Sequence, residues 1–292
     1  MNMEIQKVIP SGFCKGVVNA INIARKTRKD NPGRDIYVLG MLVHNDHVTR
    51  ELEKDGIITL DDSVKTKSEL LDDIDEGIVI FTAHGISDEI KKKAMEKGLE
   101  CVDATCTDVL KTQNIIREHI DEGYDVLYFG KNNHPEAQAI LAISDRIHLL
   151  TSEKDIESLD LDNPKLFLTN QTTMSFLQLK DLIQRVRKKY PDVIVQEEIC
   201  NATSARQMAI HELTDCDLLY VVGDRKSNNS NMLVETALKH GIKKALLIQS
   251  YTDIDDDDLA GVNKVCVSAG ASTPPGLIDE VMNYLSAKTS EQ

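Results

Sequence analysis

Short β-branched apolar runs alternate with helical patterns along almost the whole chain, and most of these runs end in glycine or alanine before a polar loop. The runs are IYVLG (Ile36–Gly40), IVIFTA (Ile78–Ala83), DVLYFG (Asp125–Gly130), LFLT (Leu166–Thr169), DLLYVVG (Asp217–Gly223), ALLI (Ala245–Ile248) and KVCVSAG (Lys264–Gly270). A strand that reads as an unbroken apolar run is buried on both faces, and the intervening helical patterns supply the cover. The alternation therefore predicts parallel sheets in an α/β fold. Two helices are explicit. Leu179, Leu182, Ile183 and Val186 fall on one face of a segment after Ser175. Pro274 and Pro275 suit the start of a last helix presenting Leu277, Ile278, Val281 and Leu285.

The loops repeat as well. LGMLVHNDHV, FTAHGISDEI, FGKNNHPEAQ, LTNQTTMS, VVGDRKSNNSN and VSAGASTPP each carry a strand end, then histidine, hydroxyl or amide groups, then a helix start. In open parallel sheets ligands bind at the carboxyl ends of the strands, where such loops lie. Three cysteines share this setting. Cys14, Cys106 and Cys200 are spaced by 92 and 94 residues, and each leads directly into a helical segment. Thiols at equivalent places in three similar lobes predict three small α/β lobes of mainly parallel sheet, arranged pseudo-three-fold around one centre. The expected lobes are residues 1–105 with the N-terminal segment, 106–199, and 200–292 with the C-terminal helix. Cys101, Cys216 and Cys266 sit among strand-like residues and read as small core side chains.

Three thiolates make a poor closed zinc site but a good incomplete ligand set for an iron–sulfur cluster, leaving one iron open to substrate. Histidines His44 and His84, with Ser227, Asn229 and Ser272, offer donors at helix starts, which suits a phosphate or diphosphate. Glu136 can hold and deliver a proton, with His134 and Thr172 as relays. No GxxxxGK[ST] or GxGxxG stretch occurs, so neither ATP nor a bound nicotinamide is indicated. The net charge of −14 argues against a nucleic-acid partner, which needs a basic face. No apolar stretch long enough for a membrane span is present, and the start MNMEIQKVIPSG lacks a secretory core, so a cytoplasmic protein with reduced cysteines is expected.

GFCKGV, VHND, TAHG, DATC, NHPE, NQTT, CNATSARQ, SNNSN and SAGAS, in that order from about Gly12 to Pro274, closely resemble the IspH/LytB family of 4-hydroxy-3-methylbut-2-enyl diphosphate reductases. The resemblance implies a 4Fe–4S cluster held by Cys14, Cys106 and Cys200. It also implies the last step of the methylerythritol phosphate route to isoprenoids, in which an allylic hydroxyl is removed to give isopentenyl and dimethylallyl diphosphate. His44, His84, Ser227, Asn228, Asn229 and Ser272 would hold the diphosphate, with His134 near it. Glu136 would be the proton source, acting with Thr172, and Thr173 lines the same loop. Electrons would come from a ferredoxin- or flavodoxin-like protein.

Several positions depart from the family pattern. Thr107 replaces a usual proline, Gln113 a frequent histidine, Asn228 a serine, and Asn133 and Ala139 two glycines. If those glycines serve positive φ or close backbone approach, the wall around Glu136 is reshaped. Two other readings share the three cysteines: a quinolinate synthase-like cluster enzyme catalysing condensation and dehydration, and a non-catalytic metal-binding or redox-sensing module.

Overall fold

The computed structural model describes residues 3–290. They form three four-stranded sheets, parallel throughout. One sheet contains β1 (Glu4–Lys7), β10 (Leu218–Val222), β11 (Lys244–Ile248) and β12 (Lys264–Ala269). It belongs to a compact unit made of residues up to Val17, His44–Val48 and Asn201 onward. The second unit, Val18–Val43 with Thr49–Cys200, carries the other two sheets. These are β2 (Ile36–Leu39), β3 (Ile58–Leu60), β4 (Ile78–Phe81) and β5 (Glu100–Asp103), then β6 (Asp125–Phe129), β7 (Ile147–Leu150), β8 (Leu166–Asn170) and β9 (Ile194–Val195).

All three sheets have one topology. The orders β3-β2-β4-β5 and β7-β6-β8-β9 both run second, first, third, fourth. The remaining sheet runs β11-β10-β12-β1, the same order, except that its fourth strand comes from the beginning of the chain. The N-terminal segment, expected with the first lobe, therefore pairs with the C-terminal one: Glu4 to Lys7 align with Lys264 to Val267. Among the described residues β12 is followed by the helix Pro275–Ser290, and β1 takes the place that the fourth strand holds in the other two sheets.

Side-chain alternation explains why the central strands read as unbroken apolar runs. Along β10, Leu218, Tyr220 and Val222 face a cluster with Leu277, Ile278, Val281 and Leu285 of the helix Pro275–Ser290. Leu219 and Val221 face the opposite cluster, with Ile210, Leu233 and Ala237 from two other helices. Along β6, Val126 and Tyr128 pack with Ile116, Ala137 and Ile140, while Leu127 and Phe129 pack with Leu179, Leu182, Ile183 and Val186. Those last four lie on the helix Phe176–Lys189, capped by Ser175, whose hydroxyl accepts from the Gln178 amide. Cys266 is fully buried, whereas Cys101 and Cys216 are only partly covered at the margins of their cores. Among the described residues no helix is long and apolar enough to cross a membrane.

Candidate active site

Because the strands are parallel, the loops after them emerge at the carboxyl edge of each sheet, and the expected site residues fall on equivalent loops. After the first strands come His44, then His134 with Glu136, then Ser227 to Asn229. After the third strands come His84, then Thr172 and Thr173, then Ser272. After the fourth strands, β1, β5 and β9, come Cys14, Cys106 and Cys200. First and third strands are neighbours in every sheet, and the crevice between them is the topological switch point at which open α/β sheets bind ligands.

In the larger unit the centre of the arrangement is Glu136, on the first turn of the helix Pro135–Leu141 and 1% exposed. One carboxyl oxygen, Oε1, accepts from the Thr172 amide at 2.8 Å and from the Tyr128 hydroxyl at 3.4 Å. The other, Oε2, accepts from Thr172 Oγ1 at 2.8 Å. Burial pushes this carboxyl up to about 7, against the bonds from Thr172 and Tyr128, which favour the ionised form. It is thus poised to hold and release a proton near neutrality. His134, the residue that caps this helix, accepts from the Glu136 amide at Nδ1 (3.2 Å), and its ring meets that of His84 edge-on with centroids 5.6 Å apart. Gln171 joins the loops: its side-chain oxygen accepts from the Lys131 amide at 3.0 Å and its nitrogen donates to Thr173 Oγ1 at 2.9 Å.

Cys106 and Cys200, the two candidate ligands in this unit, are tied to these loops through the backbone. The Cys106 amide donates to the Ala83 carbonyl at 3.0 Å, beside His84, and the Cys200 amide donates to the Thr172 carbonyl at 3.1 Å. Asn133 adopts φ +60°, the left-handed region, so a residue type that tolerates it stands where the family pattern has glycine. Ala139 is buried in the helix one turn beyond Glu136. Gln113 is 2% exposed, and its amide nitrogen, which has no hydrogen-bond partner among the described residues, points at Gly85, where an added Cβ would stand 2.7 Å from it.

In the other unit, Ser272 Oγ donates to the His44 carbonyl at 3.0 Å, and the Cys14 amide donates to the neighbouring Ala271 carbonyl at 2.9 Å. Ser227 caps the helix Asn228–His240, which carries Asn228 and Asn229 in its first turn. Asn229 is 5% exposed; Thr203 Oγ1 donates to its oxygen at 3.4 Å, so its NH₂, which has no acceptor among the described residues, is an oriented buried donor. Such a donor at a helix start fits a phosphate oxygen. This helix sits tight against two strand ends: a Cβ on Gly223 or Gly270 would lie 2.3 Å or 2.0 Å from Ser230 Oγ.

Four contributors are given no role by the motif reading. Gln171 is only one more amide of the NQTT loop there, and Tyr128 looks like a core residue; it is indeed wholly buried, which raises its own hydroxyl well above its ordinary range. Asp224, 3% exposed, accepts from the Asp46 amide at 3.0 Å and so anchors the segment that carries His44. Arg206, 4% exposed, donates to the Ala202 carbonyl at 2.7 Å and to the carbonyl of Gly12, two residues before Cys14. The VVGD strand end and the NATSARQ run were the available signals for the last two.

The LytB protein family profile matches residues 5–286. The chain belongs to the LytB family. A 4-hydroxy-3-methylbut-2-enyl diphosphate reductase of Geobacillus sp. (strain WCH70) is 46% identical over 286 residues, spanning 97% of this chain and 90% of the relative. The enzyme of that name from Bacillus subtilis (strain 168) is equally similar over the same shares. A solved structure of the E-1-hydroxy-2-methyl-but-2-enyl-4-diphosphate reductase from Plasmodium falciparum superposes with a TM-score of 0.91 at 33% identity, covering 98% of this chain and 89% of that one. Another, of an (E)-4-hydroxy-3-methyl-but-2-enyl diphosphate reductase described as the terminal enzyme of the non-mevalonate pathway, gives 0.67 at 28% identity, covering 98% and 99%. This LytB chain thus shares its three parallel-sheet lobes with solved reductases.

Proposed function

We propose that the protein reduces 4-hydroxy-3-methylbut-2-enyl diphosphate to isopentenyl and dimethylallyl diphosphate, the last step of the methylerythritol phosphate route. The observation that carries the chemistry is Glu136, a wholly buried carboxyl held by both donors of Thr172 and poised near neutrality. Membership of the LytB family favours this reading over a quinolinate synthase-like condensation or a non-catalytic module.

Cys14, Cys106 and Cys200 are assigned as ligands of a 4Fe–4S cluster. Their setting suits thiolates, since each immediately precedes a helix, and Cys14 Sγ accepts from the Val17 amide at 3.4 Å. When bound, the cluster supplies electrons and an open Lewis-acid iron for the substrate oxygen. The protein's own groups do the rest. The Asn229 NH₂, with His44, His84, Ser227, Asn228 and Ser272, binds the diphosphate and fixes the position of the allylic end. Overall, one C–O bond breaks and one C–H bond forms, consuming two electrons and two protons and releasing water. Glu136 supplies the proton that turns the departing hydroxyl into water. Thr172 Oγ1 orients it, and His134, with Thr173 beside it, lies on the reloading path. The electrons come singly from a ferredoxin- or flavodoxin-like protein.

Anaerobically prepared protein, given the alkenyl diphosphate and a chemical one-electron reductant, is expected to form both products. A full complement of cluster iron with no product would refute the assignment.

A further inference from the structure

Lys111 and Glu198 join the two cysteine-bearing segments of the larger unit, and we propose that this pair is a positioning device for Cys106 and Cys200. The proposal rests on the assignment of those cysteines as cluster ligands. Lys111 lies five residues after Cys106, on the helix Thr107–Asp121 that Cys106 caps. Glu198 lies two residues before Cys200. The Lys111 ammonium donates to both Glu198 oxygens, at 3.0 and 2.9 Å.

The two partners differ in burial, and that difference carries the argument. The Glu198 side chain is 6% exposed and that of Lys111 is 61% exposed. An exposed lysine contributes little to stability through a surface ion pair. A buried carboxylate, however, requires partners, and losing one leaves its charge poorly compensated. Apart from Lys111, its side-chain partner among the described residues is the Gln196 amide, which donates to Oε1 at 2.8 Å. Lys111 therefore closes a buried acceptor that belongs to the Cys200 segment while standing on the Cys106 helix.

That segment needs such support. Its strand, β9, is only two residues long: Ile194 and Val195 align with Phe167 and Leu168 of β8, and the ladder closes with the Gln196 amide donating to the Leu168 carbonyl at 3.0 Å. Beyond it, side chains take over from the ladder. The Glu198 amide donates to Asn170 Oδ1 at 2.9 Å, and Asn170 Nδ2 donates to the Gln171 carbonyl at 2.9 Å. The next residue, Thr172, accepts from the Cys200 amide through its carbonyl and holds Glu136 with its amide and hydroxyl. A single frame, residues 170–172, thus sets both the Cys200 thiol and the proton donor. The Lys111–Glu198 contact fastens the Cys106 helix to that frame.

The test is cluster retention rather than turnover. Anaerobic holoprotein is challenged with a ferrous chelator, and the rate of iron release is followed for wild type, Lys111→Ala, Glu198→Gln, Lys111→Arg and Cys106→Ser. Groups that orient metal ligands typically change metal affinity by about 10–100-fold when removed, so Lys111→Ala and Glu198→Gln are expected to release iron about 10–100 times faster. Lys111→Arg keeps charge and reach and should stay close to wild type. Lys111→Ala alters an exposed side chain, so it remains informative if Glu198→Gln fails to fold. Wild-type release in Lys111→Ala, or equal acceleration in Lys111→Arg, would overturn the clamp while loss of the cluster in Cys106→Ser leaves the ligand assignment standing. A complete cluster in Cys106→Ser would instead overturn that assignment, and the clamp with it.

Discussion

Replacing Glu136 by glutamine should stabilise the protein, and more so as the pH rises. The folded protein holds this carboxyl's proton up to about 7, whereas the ordinary value is 4.5. Between those values the folded state binds more protons than the unfolded chain, so stability falls as pH rises through the window and the loss is complete above it. At 1.36 kcal/mol per unit, the full cost is about 3 kcal/mol, most of which develops between about pH 5 and pH 8. The group is wholly buried, so solvent screening does not reduce this figure. Glutamine is nearly isosteric: its oxygen can accept from the Thr172 amide and Tyr128, and its NH₂ can donate to Thr172 Oγ1. Denaturant unfolding of wild type and variant, followed by circular dichroism on metal-free protein at several pH values, gives the difference directly. The variant's advantage should grow by about 2–3 kcal/mol over that range. A difference that stays flat with pH would show that Glu136 is ionised in the folded protein throughout, and the assigned acid would lose its basis.

The same substitution should retain substrate binding yet slow turnover by roughly 10²–10⁴-fold, the usual contribution of a general acid, as KM and kcat measured separately will show. If Glu136 is the proton donor proposed above, wild-type turnover should decline as the pH rises through about 7, where its protonated form is lost. Serine in place of Cys14, Cys106 or Cys200 should lower the iron content of anaerobic protein, while serine in place of Cys101, Cys216 or Cys266 should leave it unchanged. At Asn133, alanine should lower the melting temperature by the equivalent of about 1–2 kcal/mol, the cost of a left-handed Cβ, and glycine should not.

What could be read without coordinates follows burial. All six central strands, β2, β4, β6, β8, β10 and β12, are visible as apolar runs because both of their faces are covered. Of the six edge strands only β11 stands out; β1, β3, β5 and β7 mix polar with apolar residues, as EIQK and ECVD show, and β9 is only two residues long. The same gap hid the place of the N-terminus. EIQK carries no pairing signal of its own, and joining β1 to β12 requires knowing that each lobe wants a fourth strand. The cysteines were legible for a related reason: each follows a fourth strand, so their even spacing is the lobe repeat counted in residues. Loop chemistry was legible where charge or hydroxyl runs break a pattern, as at NHPE and QTT. It failed at Tyr128, where a residue serves the core and Glu136 together.

The contact of Ser230 with Gly223 and Gly270 sets a rule for how this chain can drift. Three positions from different parts of the sequence occupy one volume, so none can enlarge by itself. The gaps are unequal: Ser230 Cβ would stand 3.2 Å from a Cβ on Gly270 but 2.8 Å from one on Gly223. Alanine at 230 would therefore nearly free position 270, whereas position 223 would remain closed until 230 became glycine. Lineages that carry a side chain at 270 should show a smaller residue at 230, and the order of the two replacements in a family tree should be fixed, with the helix yielding first.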